Sequence, residues 1–271
     1  MMHHKIGPSI DSFNKFVETA EHFLPRSEIK TVFEFGSRYG EDTELFAKRY
    51  PFARVFAFEC NPNTVKFCKD KLAAYSNVVL TEKAVSKTDG KVSFFNIDKA
   101  TTVTTWEDGN QGASSLLLAS GKYPVEHYAQ QEIVVDSVSL KSFLEQNDIK
   151  GVDLMWIDIQ GAELLALEGL GEKINHVGIF HIEVEFFEIY TDQPLFSQVR
   201  SFFKAHGFQL LGFTALSRYS GDAVFVNPRL INKYALKQAR KDLIQLDDNF
   251  SFKKVIKKIK RRISKIIGSS K

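Results

Sequence analysis

The sequence predicts a doubly wound α/β fold built on a mainly parallel sheet. Apolar runs of strand length alternate with helix-like segments, and most strand runs are apolar on both faces. Such strands belong to a parallel sheet, whose crossover helices cover it on each side. The last two runs are joined by a link too short for a crossover, which predicts a closing antiparallel hairpin.

Residues 9–24 read as a helix leading into the first strand, "TVFEFGS" (31–37), which is followed by helical "EDTELFAKRY". "RVFAFEC" (54–60) is the second strand, "PNTVKFCKDKLAAY" its helix, and "NVVLTEKAV" (77–85) the third strand. Between 86 and 138 the rhythm breaks. "KVSFFNID" and "QEIVVDSV" read as extra strands, and the polar, glycine-containing stretch between them is long enough to imply a functional loop. Alternation resumes with "VDLMWIDI" (152–159), helical "GAELLALEGLGEKI", "HVGIFHIEVE" (176–185) and helical "LFSQVRSFFKAHG" (195–207). "FQLLGFTA" and "DAVFVNP", linked by "LSRYSG", form the hairpin at one edge. These elements divide the chain into a helical lead-in (1–30), a main domain (31–230, with the 86–138 insertion and loop) and a tail (231–271).

With 271 residues, 44% of them hydrophobic and 25% charged, the chain has material for a sizeable core. Cys60 and Cys68 match no zinc or CxxC spacing and read as free thiols in a reducing compartment. No signal peptide and no membrane-spanning apolar run is present, so a cytoplasmic location is expected. The net charge of +3 divides into +9 over residues 251–271, which contain no acid, and −6 over the rest. An acidic body argues against a nucleic-acid groove. In "FKKVIKKIKRRISKII" (252–267) the apolar residues repeat at helical spacing and the basic ones fill the other face. As a helix of about 24 Å, this segment would lie on an anionic membrane surface, peripheral to the cytoplasmic face. Packing of the tail on the body is the alternative.

"EFGSRYG" (34–40) follows the first strand and opens a helix in the pattern acid-x-Gly-x-x-x-Gly, which is not the dinucleotide fingerprint. Gly36 and Gly40 let the backbone turn tightly near a ligand. Glu34 ends the first strand, and Glu59 ends the second about 20 residues after the glycine turn, where α/β nucleotide folds place a carboxylate on ribose hydroxyls. Without a phosphate-cradling loop, this pattern favours a nucleoside ligand.

Over about residues 30–230 the chain resembles the FkbM-type S-adenosylmethionine-dependent methyltransferases. "FEFGSRYGEDT" is similar to their first cofactor motif, with Ser37-Arg38 in place of the more usual Ala-Asn, and "FAFECNP" to their second-strand acid followed by Asn-Pro. "TEKAVSKTDGKVSFF" resembles the third strand and its following hairpin, and "GASSLL" the Ser-Ser loop. "VDLMWIDIQGAELLALEGL" resembles the family signature, with Trp156 and Gln160 where many members carry Lys and Glu; "GDAVFVNP" resembles the closing strand. The resemblance implies a Rossmann-like methyltransferase sheet of seven strands with a reversed last hairpin. It also implies S-adenosylmethionine as cofactor, with Glu34, Gly36 and Gly40 at its methionine end, Glu59 at its ribose, Ala84 near its adenine, and Ser114 and Ser115 near cofactor or acceptor.

Open α/β sheets bind ligands beyond the carboxyl ends of their strands, so Asp158 faces the expected reaction cleft. His181, Glu183 and Glu185 share one face of the next strand, because strand side chains alternate. Glu183 is the second candidate carboxylate. His181, one pleat back, is either a core histidine or a third catalytic group. Asp158 is also placed to cap the helix that starts near Gly161. Glu163 reads as a first-turn acid favoured by the helix dipole. The acids are compatible with a divalent cation, but no diagnostic ligand spacing is present and a metal is not favoured. The expected activity is O-methylation of a sugar or surface-glycan hydroxyl, the alternatives being a secondary-metabolite alcohol or a non-catalytic cofactor-binding scaffold.

Overall fold

The computed structural model describes residues 10–245. The predicted helix at 252–267 lies outside them. In chain order the elements are α1 (Ile10–Glu21), β1 (Thr31–Phe35), α2 (Glu41–Arg49), β2 (Arg54–Phe58), α3 (Val65–Leu72), β3 (Val78–Thr81), β4 (Ala84–Ser86), β5 (Gly90–Ile97) and β6 (Gln130–Ser139). They continue with α4 (Leu140–Gln146), β7 (Val152–Ile157), α5 (Glu163–Glu168), β8 (Val177–Glu185), α6 (Phe196–Ala205), β9 (Gln209–Leu216), β10 (Ser220–Val226) and the short α7 (Leu236–Ala239).

Seven strands form one sheet in the order β3-β2-β1-β7-β8-β10-β9. All neighbours are parallel except β10, which runs antiparallel to both β8 and β9. The closing hairpin therefore sits at the edge, with its second strand inserted beside β8. A second sheet, β4-β6-β5, carries the extra hairpin. The run read as one strand over 77–85 divides at Glu82 and Lys83. β3 joins the main sheet through β2, while β4 leaves it to pair with β6. The helix α4 was not apparent in the sequence. It spans seven residues directly after β6, and its start is set by Ser139, whose Oγ accepts from Ser142 N at 3.3 Å.

Alternation along each strand sorts side chains onto two faces. Phe33, Phe35, Met155, Ile157, Phe180 and Ile182 meet α4, α5 and α6. Val32, Val55, Leu154, Trp156 and Ile179 meet α1, α2 and α7, while α3 packs on Ala57. The helix after β1 thus lies on one face and the helix after β7 on the other. Adjacent parallel strands whose following helices diverge leave a crevice at their carboxyl ends.

The lead-in helix is part of the core. Phe16 is fully buried, with ring centroids 5.5 Å from Trp156, 5.1 Å from His181 and 6.4 Å from Phe46. Ile231, Ala239 and Leu243, which sequence reading assigned to the tail, are buried in the same layer. Phe16→Ala is expected to cost about 3–5 kcal/mol through lost burial and a residual cavity. Urea unfolding would show this as a lower midpoint with an unchanged slope; a wild-type midpoint would mean that α1 is dispensable to the core.

Candidate active site

A cavity of about 580 Å³ opens at the carboxyl ends of β1, β2, β7 and β8, within the range of small-molecule sites. Its position follows from one close approach. Gly36, at φ +84°, lies against the end of β7, where a Cβ would sit 1.9 Å from the Asp158 carbonyl oxygen. Asp158 N donates to Phe35 O at 3.1 Å. A side chain at position 36 would push β1 and β7 apart.

On the β1–β2 side, Glu59 lines the cavity. Its carboxylate accepts from Arg38 N and Asn61 N, each at 2.6 Å, and burial lifts its pKa to about 7. Ala84, Ser114 and Ser115 line the same cavity. Ser114 Oγ accepts from Asn61 Nδ2 at 3.1 Å and from Ile97 N at 3.0 Å. Ser115 Oγ donates to Gln160 O at 2.7 Å, joining the insertion loop to the end of β7.

Glu34 and Gly40 are not cavity residues. Glu34 is buried beneath the loop, where Ser37 Oγ donates to it at 3.1 Å and Thr43 Oγ1 also donates. Burial raises its pKa to about 7. It ties the loop after β1 to the first turn of α2. At Gly40, φ is +77° and a Cβ would meet Leu72 Cγ at 3.1 Å, so this glycine allows α2 to seat against α3.

Beyond β7 the cavity is acidic. Asp158 and Glu183 are bridged by one carboxamide: Gln160 Nε2 donates to Asp158 Oδ1 and to Glu183 Oε2, both at 2.7 Å. Gln160 is itself held from the other side, because Tyr190 OH donates to its Oε1 at 3.0 Å. Burial, and then the neighbouring Asp158 carboxylate, push the Glu183 pKa well up. Asp158 does not cap α5. Nor does Glu163, the first residue of α5: its carboxylate reaches back into the turn before the helix, accepting from Gly161 N at 3.1 Å and Ile159 N at 3.3 Å, and burial raises it to about 7.

His181 is not part of the cavity wall. It stacks on Trp156 with centroids 3.5 Å apart and planes 4° apart, and its Nε2 lies 2.9 Å from Thr214 Oγ1. Burial lowers its pKa to about 3, so it is neutral. Trp156 and Phe16 enclose it beneath the carboxylates. Sequence reasoning missed Asp222, which pairs with Glu183 across β8 and β10 and faces the same cavity. Ser12 Oγ on α1 donates to Asp222 Oδ2 at 2.9 Å, and burial raises its pKa to about 7. The available signal was direction: an antiparallel strand begins where its parallel neighbours end, so the acid of "GDAVF" belongs at the cleft.

The insertion loop closes the top. Arg38 pairs with Asp108 at 2.5 Å and lies over Trp106 at 5.1 Å, while Tyr123, Glu126 and Tyr128 add to the wall. Among the described residues, no group of three or more His, Cys, Asp or Glu side chains is arranged to hold a metal ion.

The Methyltransferase FkbM domain matches residues 34–210. The chain belongs to this family. The 2-O-methyltransferase NoeI of Sinorhizobium fredii is 23% identical over 172 residues, covering 61% of this chain and 65% of that protein. The chain therefore spans slightly less than two thirds of this relative's length. Among solved structures, the methyltransferase FkbM from Methylobacillus flagellatus KT is 13% identical over 73% of this chain and 43% of that one, with a TM-score of 0.46. TrmK of M. capricolum, in complex with S-adenosyl-homocysteine, is 7% identical over 95% of this chain and 87% of that one, with a TM-score of 0.48.

The buried acids carry a stability signature. Glu34, Glu59, Glu163 and Asp222 stand at about 7 in the folded chain, against ordinary values of 4.5 for Glu and 3.8 for Asp. The folded state thus holds protons that the unfolded state releases, and their contribution to stability falls as pH rises from about 4 through about 7. The urea midpoint is expected to be lower near pH 8 than near pH 5.5, with a shallower fall in Glu59→Gln. A midpoint that rises between those pH values contradicts the assignment.

Proposed function

We propose that the protein is an S-adenosylmethionine-dependent O-methyltransferase acting on a hydroxyl of a sugar or surface-glycan precursor. The observation that carries this reading is the Asp158–Gln160–Glu183 bridge across the carboxyl ends of β7 and β8, beside the crevice. Family membership supports methyl transfer, and the name of the NoeI relative supports oxygen as the acceptor atom.

The residues on the β1–β2 side suit the cofactor. Glu59 offers a carboxylate to vicinal hydroxyls, Gly36 leaves backbone accessible, and Phe58, Ala84, Val85 and Phe94 give apolar surface for a purine. When bound, S-adenosylmethionine supplies an electrophilic methyl group on a sulfonium. The chain's own contribution is to position the acceptor and remove its proton. A hydroxyl set against Asp158 and Glu183 would give its proton to the pair as it accepted the methyl group. Holding the reacting atoms in line contributes much of the rate. Burial and the neighbouring Asp158 raise the proton affinity of Glu183, which strengthens it as a proton acceptor. Gln160 fixes the two oxygens in register.

Asp158→Asn is expected to lower turnover by roughly 10²–10⁴-fold while leaving affinity for S-adenosylhomocysteine near wild type. Methyl transfer to an oligosaccharide panel, read by mass gain, together with calorimetry of the thioether product, measures both. Unchanged turnover in the variant removes the carboxylates from the mechanism, and absence of cofactor binding by the wild type ends the methyltransferase reading.

The charge pattern of 252–267 supports a second element of the proposal, peripheral attachment to an anionic membrane surface. Among the described residues no helix is long and apolar enough to cross a membrane. Replacing Lys253, Lys254, Lys257 and Lys258 with Glu should abolish co-sedimentation with phosphatidylserine-containing liposomes. Equal sedimentation of both proteins sinks the attachment.

A further inference from the structure

The cavity is chemically divided, and the acids of its far half have no cationic partner. Glu183, Glu185 and Asp222, from β8 and β10, face it beside Asp158. Among the described residues none of these four makes an ion pair with lysine or arginine. Arg38 and Lys83 are the cations of the lining. Arg38 is engaged by Asp108, and Lys83 adjoins Ala84 on the opposite side. His181 Nε2 lies 4.0 Å from Asp222 Oδ2, but the buried ring is neutral and supplies no charge.

A second observation points to a missing partner. Glu185 is 2% exposed and lines the cavity; the Gln193 side chain acts on its carboxyl, but its Oε2 is left without a donor in hydrogen-bond geometry. A buried carboxylate oxygen without a donor is costly, and so are carboxylates gathered without a cation. After burial itself, the neighbouring acids are what raise the proton affinities of Glu183 and Glu185. Tyrosine rings share the cavity with these acids, close enough for Glu183 to act on Tyr123 and Tyr128. Tyr123 and Tyr128 line the cavity, and Tyr219 packs at right angles on Tyr123, with centroids 5.5 Å apart. Carboxylates facing tyrosine rings form a site for an ammonium group, which gains from both. The same surface repels phosphate and uronate.

We propose that the acceptor is an amino sugar bearing a free ammonium group, which sits among Glu183, Glu185 and Asp222 while a neighbouring hydroxyl meets Asp158. The proposal rests on the methyltransferase reading and names its substrate class. It excludes acceptors that would place a phosphate in this half of the cavity.

The test is calorimetry on the full chain saturated with S-adenosylhomocysteine, so that the cofactor side is filled. The probes are a glucosamine tetramer, its fully N-acetylated form and a galacturonic acid tetramer. The free amine is expected to bind at least about tenfold more tightly than the N-acetylated form, with no uronate binding, and salt should weaken it. Binding should release protons to buffer as Glu183, Glu185 and Asp222 ionise around the ammonium. Asp222→Asn should cut the preference for the free amine to less than about threefold without changing S-adenosylhomocysteine affinity. Equal or tighter binding of the N-acetylated or uronate oligomer overturns the proposal, as does failure of every sugar in a protein that binds S-adenosylhomocysteine. A preference that appears with added magnesium and vanishes with EDTA also overturns it, by assigning the acids to a cation. Failure to bind S-adenosylhomocysteine would instead strike the underlying methyltransferase reading.

Discussion

The contact between Gly36 and the carbonyl of Asp158 is the constraint on which the site depends. Parallel strands β1 and β7 stay in register as far as Phe35 and Ile157, and their chains then leave in opposite directions. Glycine is needed there because a Cβ would occupy the position of the carbonyl oxygen. The crevice forms where α2 and α5 diverge onto opposite faces, and the side chains at its floor are those at the strand ends. Position in the sheet, more than local sequence, makes Asp158 a cavity residue.

Register explains why the acids have the neighbours they have. One row across the sheet reads Glu34, Trp156, His181 and Val224, and the next places Glu183 opposite Asp222, with Asp158 one pleat beyond Trp156. The first row is sealed by α1 and α2, and the second opens to the cavity. The Trp156–His181 stack thus serves as an apolar floor under the carboxylates. It restricts water below them and raises the cost of ionising them. Gln160 offsets part of that cost through two donated hydrogen bonds. A glutamate at 160 would replace those donors with a further acceptor.

Most of the fold was legible in the sequence because alternation of apolar strand runs with helices leaves few topologies. The division of residues 77–85 between two sheets was not legible, since both halves are short and β-prone and only tertiary pairing separates them. α4 was hidden for the same reason, following β6 without a break. At the site, the positions of Asp158, Glu183 and Glu59 follow from strand direction alone. His181 shares the alternation of Glu183, but one pleat of depth puts it under Trp156. Glu34 and Gly40 fit a motif whose first role here is to shape the loop. Asp222 was obscured because its strand runs opposite to the others.

The loop between β5 and β6 connects the two chemistries of the cavity. Its inner part holds Ser114 against Asn61, on the β2 side, and Ser115 against the backbone of Gln160, beside the paired acids. Tyr190 OH shares its one proton between Ala113 O at 2.8 Å and Gln160 Oε1 at 3.0 Å. The bridge between Asp158 and Glu183 is therefore fastened to the same loop that lines the Glu59 side. Displacing that loop would change the orientation of Gln160, and with it the spacing of the carboxylates. The β7 end and the β2 end are thus linked through hydrogen bonds that are all buried or partly buried. A bare α/β sheet lacks this link, and the insertion at 86–138 supplies it.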